Sequence, residues 1–457
     1  MNETICALAT APGGALGIIR ISGAQTLEIL SRIFTKNLAD AHPNTIHYGH
    51  IVEQAAVPQQ QTKQATIVDE VLVSVFRAPH SYTGEESAEI SCHGSRYILN
   101  KVLELLIQQG CRMANPGEFT QRAYLNGKMD LTQAEAVADL IASTNQATHQ
   151  MALSQLRGHF SSKLAQLREQ LLKLTSLLEL ELDFSDHEDL EFADRSELMG
   201  LTKEIDTHIT KLARSFETGQ ALKQGIPVAI VGKTNVGKST LLNALLKDDR
   251  AIVSDVHGTT RDTIEDTIDI KGVTFRFIDT AGIRQTQDTV EQIGIERTYA
   301  AIDKARIVLW IIDSEPSSEE ISNILQRIKD KHLIVVRNKT DKGDINNFTL
   351  PHHSLVSISA KFGKGIDKLE QAIHEAADIP ALTDNDIIVT NARHYEALTR
   401  SHVCIQRVID GLQMQLSGDL LSEDLRQALD TLAEITGGQI TPNEVLGNIF
   451  KNFCVGK

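Results

Sequence analysis

The most specific chemistry in the chain sits in eight residues, Gly232-Lys233-Thr234-Asn235-Val236-Gly237-Lys238-Ser239. They fit G-x-x-x-x-G-K-[ST], a loop that holds phosphate. Its glycines let the backbone aim several N–H groups at phosphate oxygens, and the helix that follows adds its positive end. Lys238 supplies a mobile cation for β- and γ-phosphates, and Ser239 a hydroxyl for Mg²⁺. Further along, Gly258-Thr259-Thr260-Arg261-Asp262 offers Thr260, which can close over Mg²⁺ and the γ-phosphate as a switch loop does. Asp279-Thr280-Ala281-Gly282 brings an acid for the metal's water shell and a glycine N–H for the γ-phosphate. Asn338-Lys339-Thr340-Asp341 places a carboxylate that can accept from guanine N1–H and the 2-amino group. Ser359-Ala360-Lys361 suits a backbone N–H to guanine O6. Adenine lacks the two donors that Asp341 would pair, so these motifs in this order select GTP over ATP.

The residue after Gly282 is Ile283, whose hydrocarbon side chain cannot orient an attacking water. Another group must do so, and Asp288 and Glu291 are the nearest acids in the following loop. Arg261 and Arg284 are the candidates for a cation that neutralises transition-state charge.

These residues need a strand, a turn and a helix around them. An apolar run, Ile226 to Val231, precedes the phosphate loop, and Thr240, Leu241, Leu242, Ala244, Leu245 and Leu246 follow at helical spacing. Val273 to Ile278, Ile307 to Ile312 and Leu333 to Val336 read as further buried strands, giving a doubly wound α/β module. Residues 1–120 read as a small α/β domain, with strands at Gly17 to Ile21, Glu70 to Phe76 and Ala88 to Ser91 and a helix over Ile98 to Gln108. Glu53 to Gln64 reads as a loop or hairpin tip. Three segments dense in glycine and charge, Gly13 to Gly23, Thr83 to Glu89 and Asn115 to Thr120, taken alone read as loops. Residues 121–222 turn helical; Leu164, Leu167, Leu171, Leu174 and Leu178 form a stripe that predicts a helix buried in a bundle. The acidic run Asp183 to Glu191 reads as a solvated turn. Residues 383–457 are helical again, so the α/β module (223–382) reads as an insertion into one discontinuous helical domain.

The chain has 457 residues, ordinary globular composition and a formal net charge of −15, which excludes non-specific nucleic-acid binding by overall charge. Its five cysteines show no C-x-x-C pair, which argues against a zinc cluster or disulfide framework. No apolar run approaches the ~20 residues that span a bilayer, and no basic region with an apolar core opens the chain. These features predict a cytoplasmic protein with no membrane association.

The motifs together resemble the MnmE (TrmE) family of tRNA modification GTPases over nearly the whole chain. The resemblance rests on G-I-I-R-I-S-G around Arg20, T-G-E-E-S-A-E before His93, and N-P-G-E-F-T-Q-R-A-Y-L-N-G-K-M-D-L-T-Q-A-E-A through Lys128. It continues with N-V-G-K-S, G-T-T-R-D and D-T-A-G-I-R of an Era-like G domain and ends on Cys454-Val455-Gly456-Lys457, similar to a C-x-G-K terminus. Thr234 stands where many Era-like loops carry proline, and Val455 where isoleucine is commoner.

The resemblance implies three parts: an N-terminal domain that binds a folate and forms the homodimer, a helical domain, and the inserted Ras-like G domain. It implies folate contacts at Arg20, Glu89, Lys128 and Lys457, with cations for glutamate-tail carboxylates and an acid for the pterin N–H groups. It implies GTP contacts at Asn235, Val236, Gly237, Lys238, Ser239, Thr240, Ser254, Asp255, Val256, His257, Gly258, Thr259, Thr260, Asp279, Thr280, Ala281, Gly282, Asn338, Lys339, Asp341, Ser359, Ala360 and Lys361. Mg²⁺ would sit on Ser239 and Thr260. K⁺ would sit on Asn235, Ser254, Val256 and Thr259, where it can do the work of an arginine finger. Glu291 would position water through a second water, with Lys238 and Thr260 completing the catalytic set. Cys454 would serve tRNA modification and not hydrolysis.

The implied reaction adds a carboxymethylaminomethyl or aminomethyl group to C5 of the tRNA wobble uridine. It uses 5,10-methylenetetrahydrofolate or 5-formyltetrahydrofolate and a heterotetramer with the FAD- and NADH-dependent MnmG (GidA). The alternative is an Era-like switch in ribosome assembly, which has no need of a folate pocket.

Overall fold

The computed structural model describes residues 3–53, 66–183, 195–249, 266–278, 299–328, 331–343, 353–379, 386–438, 443–451, 453, 454 and 456. They form two compact units. Met1–Ile141, Gln155–Ala193 and Gln415–Lys457 make one; Ala142–Ser154 and Asp194–Met414 make the other.

The first unit is built on a six-stranded sheet in the order β3-β4-β5-β2-β1-β6. Its strands are β1 (Ile5–Leu8), β2 (Leu16–Ser22), β3 (Thr45–Glu53), β4 (Thr66–Phe76), β5 (Ser87–His93) and β6 (Arg112–Met113). All neighbours are antiparallel except β1 with β6. Period-two alternation sends Ile19, Ile21, Val73, Val75, Ala88 and Ile90 to one face, where all are fully buried. Helices α1 (Thr26–Ile33) and α2 (Arg96–Gln108) cover that face with Leu27, Ile29, Leu30, Ile33, Leu99, Val102, Leu105 and Leu106. The segment from Gly13 is therefore loop only as far as Ala15. From Leu16 it is strand, because its apolar residues alternate and its glycines do not break the pairing with β5. Likewise Ser87–Glu89 opens β5, and Glu118–Thr120 opens α3 (Glu118–Leu125).

Helices α4 (Leu131–Ala142) and α6 (His159–Asp183) follow, while α5 (Gln146–Leu156) begins in the second unit. The leucine stripe behaves as its spacing predicts: Leu164, Leu167, Leu171, Leu174 and Leu178 are at most 3% exposed along α6. That helix packs on α12 (Gly418–Thr436), and α13 (Asn443–Phe450) returns the chain to α3. Residues 54–64 and 184–191, read as a hairpin tip and a solvated turn, lie outside the described residues.

The second unit holds the other six-stranded sheet, order β12-β11-β10-β7-β9-β8. Its strands are β7 (Ile226–Val231), β8 (Asp266–Ile270), β9 (Val273–Ile278), β10 (Ile307–Ile312), β11 (His332–Arg337) and β12 (Ser354–Ser357). All pairs are parallel except β8 with β9, a hairpin that adds an antiparallel edge to the expected parallel sheet. Helices α8 (Lys238–Asp249), α9 (Ser318–Arg327) and α10 (Ile366–Ala376) accompany it; β10 is buried at all six positions, as a strand covered on both faces must be. Two helices outside the sheet, α7 (Arg195–Gln224) and α11 (Ala392–Gln413), pack along each other.

A polar network underlies the first unit. Arg122, 2% exposed, donates to Glu118 at 2.9 Å and to Glu85 at 3.0 Å. Arg112 reaches Glu118 at 2.6 Å and Glu3 at 2.7 Å, and Ser22 donates to Glu85 at 2.8 Å. Burial opposes ionisation of Glu118, but Arg112, the Asn115 N–H and Arg122 outweigh it and hold its carboxyl below the ordinary value. A depressed folded-state pKa contributes stability that is complete above the unfolded value, ~4.3, and is lost as pH falls through the folded one. We therefore expect Glu118→Gln to cost about 3 kcal/mol at neutral pH in urea titrations, since it removes the buried carboxylate that Arg122 and Arg112 share. Below about pH 4 the wild-type melting midpoint should fall more steeply than that of the variant. Parallel pH profiles would show that Glu118 carries no such linkage.

Candidate functional site

Strand β7 lies between β9 and β10, so the chain builds the sheet outward in both directions from it. A parallel α/β sheet opens a crevice at such a point, beyond the carboxyl ends of its strands. Three segments emerge at those ends: the phosphate-type loop after β7, Asn338-Lys339-Thr340-Asp341 after β11, and Ser359-Ala360-Lys361 just past β12.

Asn338 joins all three. It is 4% exposed, donates through Nδ2 to the Val236 carbonyl at 2.8 Å and accepts the Ala360 N–H on Oδ1 at 3.0 Å. Gly237 has φ 102°, and a Cβ there would run into Asn338 Nδ2, so both its conformation and the space around it require glycine. Lys339 reaches the Asn235 carbonyl at 2.6 Å and Asp313 Oδ2 at 2.7 Å. Lys238, Ser239 and Thr240 open α8. The Lys238 ammonium donates back to the carbonyls of Gly232 at 2.6 Å and Lys233 at 2.9 Å, and burial lowers its pKa. Asp341 is exposed to solvent; its carboxylate accepts from Ser359 Oγ at 2.6 Å, and that bond holds its pKa below the usual range. A charged acceptor kept ionised beside the Ala360 and Lys361 backbone has the polarity that a guanine edge requires.

The second polar cluster lies in the first unit. Arg20 on β2 stands directly opposite Glu89 on β5. Its Nε and Nη2 both reach Glu89 Oε1, at 2.9 and 2.7 Å, and Nη1 donates to the Gly456 carbonyl at 3.1 Å. The guanidinium carbon lies 5.4 Å from the centre of the Tyr82 ring and 5.8 Å from that of Phe119. The chain end is held against this cluster. The Gly117 N–H donates to the Cys454 carbonyl at 3.4 Å, and at Gly456, φ 98°, a Cβ would run into the Leu8 carbonyl. Cys454 is exposed, whereas Cys6, Cys92, Cys111 and Cys404 are buried. Lys128 donates to the Pro79 carbonyl at 2.9 Å.

The structure thus brings Asn235 to Thr240 together with Asn338, Lys339, Asp341 and Ser359 to Lys361, and Arg20 with Glu89 and Gly456. Ser254 to Arg261, Asp279 to Arg284, Asp288, Glu291 and Lys457 lie outside the described residues. Sequence reasoning missed Asp313, and it missed the joint role of Glu85, Glu118 and Arg122. The last three stand inside motifs already singled out, where paired acids beside a buried arginine were the available signal. No described helix is long and apolar enough to cross a membrane, and no cluster of three His, Cys, Asp or Glu among the described residues could hold a metal.

Two family models match this chain: "GTP-binding protein TrmE N-terminus" over residues 4–128 and "MnmE helical domain" over residues 131–454. The chain is 55% identical to a tRNA modification GTPase MnmE of Phocaeicola vulgatus, over all of this chain and 99% of that protein. It is 54% identical to one of Bacteroides thetaiotaomicron, over the full length of both, and 49% identical to one of Christiangramia forsetii, again over both full lengths.

Removing the Asn338 amide would leave a buried carbonyl and a buried N–H unpaired, at about 1–3 kcal/mol each. Asn338→Ala should weaken binding of a fluorescent GDP analogue by roughly a hundredfold, while the far-ultraviolet dichroism stays that of the parent. Unchanged affinity would show that the two loops keep their positions without this residue.

Proposed function

The chain belongs to the MnmE family of tRNA modification GTPases, and on that premise we propose how its residues divide the work. The double anchoring of the phosphate loop and the guanine-side loop by Asn338 is the observation that carries the nucleotide reading. Lys238 and the loop N–H groups bind the phosphates, and Asp341 with a backbone N–H of the Ser359-Ala360-Lys361 segment reads guanine. Ser239 and Thr260 would hold Mg²⁺. Asn235, Ser254, Val256 and Thr259 would hold K⁺. Bound cations there would neutralise charge that develops between the phosphates. Asn235 suits the task, since its side-chain carbonyl is a neutral oxygen ligand of the kind K⁺ takes. Glu291 orients the attacking water.

The Arg20 cluster is the second half of the proposal. A cation and a carboxylate side by side, with Tyr82 and Phe119 against the cation, fit a flat ring with donors and a carboxylate tail, as a folate has. Lys128 and Lys457 would complete that pocket, and Cys454 would act on the tRNA side of the reaction. The domain boundaries 1–120, 121–222, 223–382 and 383–457, the homodimer and a cytoplasmic location belong to the same reading. With an FAD-dependent partner of the MnmG type, the protein adds a carboxymethylaminomethyl group to C5 of the tRNA wobble uridine. The net charge of −15 supports a division of labour in which the partner supplies much of the tRNA-binding surface.

GTP turnover should rise roughly tenfold or more in K⁺ over Na⁺ at matched ionic strength, and Asn235→Ala should lose that gain. Equal rates in both salts would sink the cation assignment and return Arg261 and Arg284 as candidates. Calorimetry with 5-formyltetrahydrofolate should show binding that Arg20→Ala abolishes while GTP affinity stays. Absence of folate binding would favour an assembly switch over modification chemistry.

A further inference from the structure

Asp313 stands immediately after β10, at the same end of the sheet as the nucleotide loops, and none of the motifs above includes it. Its Oδ2 lies 2.7 Å from Lys339 Nζ, and that ammonium donates to the Asn235 carbonyl at 2.6 Å. Three residues therefore form one chain, from carboxylate to ammonium to the phosphate loop.

The peptide plane says what this chain does. In a trans peptide the C=O and the following N–H point in opposite directions and turn as one rigid unit. Drawing the Asn235 carbonyl toward Lys339 turns the Val236 N–H the other way, away from Lys339. An N–H in that loop must face the phosphates to serve them. Asn235 and Lys339 both hold left-handed backbone, φ 62° and 63°, which costs a non-glycine residue roughly 1–2 kcal/mol. The conformation persists when surrounding contacts over-determine it. The loop's other fixings act elsewhere: Asn338 on the Val236 carbonyl, Lys238 on the carbonyls of Gly232 and Lys233, and Glu320 on the Lys233 side chain at 2.7 Å. Asp313 gives the Lys339 ammonium a fixed aim, since a lysine on a flexible four-carbon stem otherwise samples many directions.

We propose that Asp313 is a positioning residue for guanine nucleotide: it aims Lys339 at the Asn235 carbonyl and so presets the crest of the phosphate loop. This rests on the reading of residues 232–239 as the phosphate site. The side chains of the pair are about 30% exposed, so the effect is moderate rather than all-or-none.

The test is release of a fluorescent GDP analogue from the full-length protein, followed after mixing with excess GDP. Asp313→Ala should speed release about fivefold. Asp313→Asn, which keeps a neutral acceptor, should recover part of that loss. The deciding arm is the cycle with Lys339→Ala: the double variant should release no faster than Lys339→Ala alone, because Asp313 acts only through that lysine. Independent, multiplying effects would overturn the proposal, since a general loss of stability multiplies and a positioning role does not. Wild-type release rates in Asp313→Ala would overturn it as well and leave the phosphate-site reading standing. A parent protein that retains no GDP analogue would overturn both.

Discussion

Asn338 uses both ends of one amide, and most of the nucleotide site follows from that. Its donor meets a carbonyl 102 residues earlier in the chain and its acceptor meets an N–H 22 residues later. Such long-range closure is possible because parallel strands release their loops at a common edge. The side chain is buried, so each bond it makes is also a bond it must make. Aspartate there would present acceptors to the Val236 carbonyl, and leucine would satisfy neither partner. The constraint then spreads: Gly237 must lack a side chain because the amide nitrogen fills that space.

The first unit uses charge differently in two places. Around Arg122 and Glu118 the charged groups are nearly sealed, 2% and 4% exposed, and knit β2, α3 and the start of β1. A sealed network of this kind contributes little net stability over an apolar core, yet it is costly to break at any one member. Around Arg20 and Glu89 the pair retains 18% and 27% of its side-chain exposure, and the guanidinium lies over the rings of Tyr82 and Phe119. The difference separates a pair that fixes the fold from one that still has a surface to offer.

Local periodicity made much of the fold legible. The stripe from Leu164 to Leu178, the run Ile226 to Val231 and the alternation in β2 and β5 all report burial from spacing alone, because a helix or a strand repeats its environment every few residues. The phosphate loop and the Asn338 segment were legible for another reason: their backbone demands restrict residue types within a few positions. What stayed hidden was pairing across distance. Arg112 meets Glu3 across 109 positions and Arg122 meets Glu85 across 37, and no periodic signal records such partners. The antiparallel β8–β9 edge was hidden for the same reason, since a short strand reads alike whichever way its neighbour runs. Asp313 was missed because a lone acid after a strand resembles any polar loop start until Lys339 is placed beside it.

The five thiols show how placement, and not residue type, sorts what a side chain can do. A cysteine reacts as thiolate and only where a partner can reach it. Cys92 fails both tests: it is buried, and burial with the nearby Asp69 charge pushes its pKa up to about 11. Cys6, Cys111 and Cys404 fail the second. Cys454 is exposed, yet its own carbonyl is bonded to Gly117 and the Gly456 carbonyl to Arg20, while Phe453 beside it is buried against Phe450. A frayed tail would present its thiol anywhere. Here the backbone on either side of the thiol is tied down, through the Cys454 carbonyl to Gly117 and the Gly456 carbonyl to Arg20.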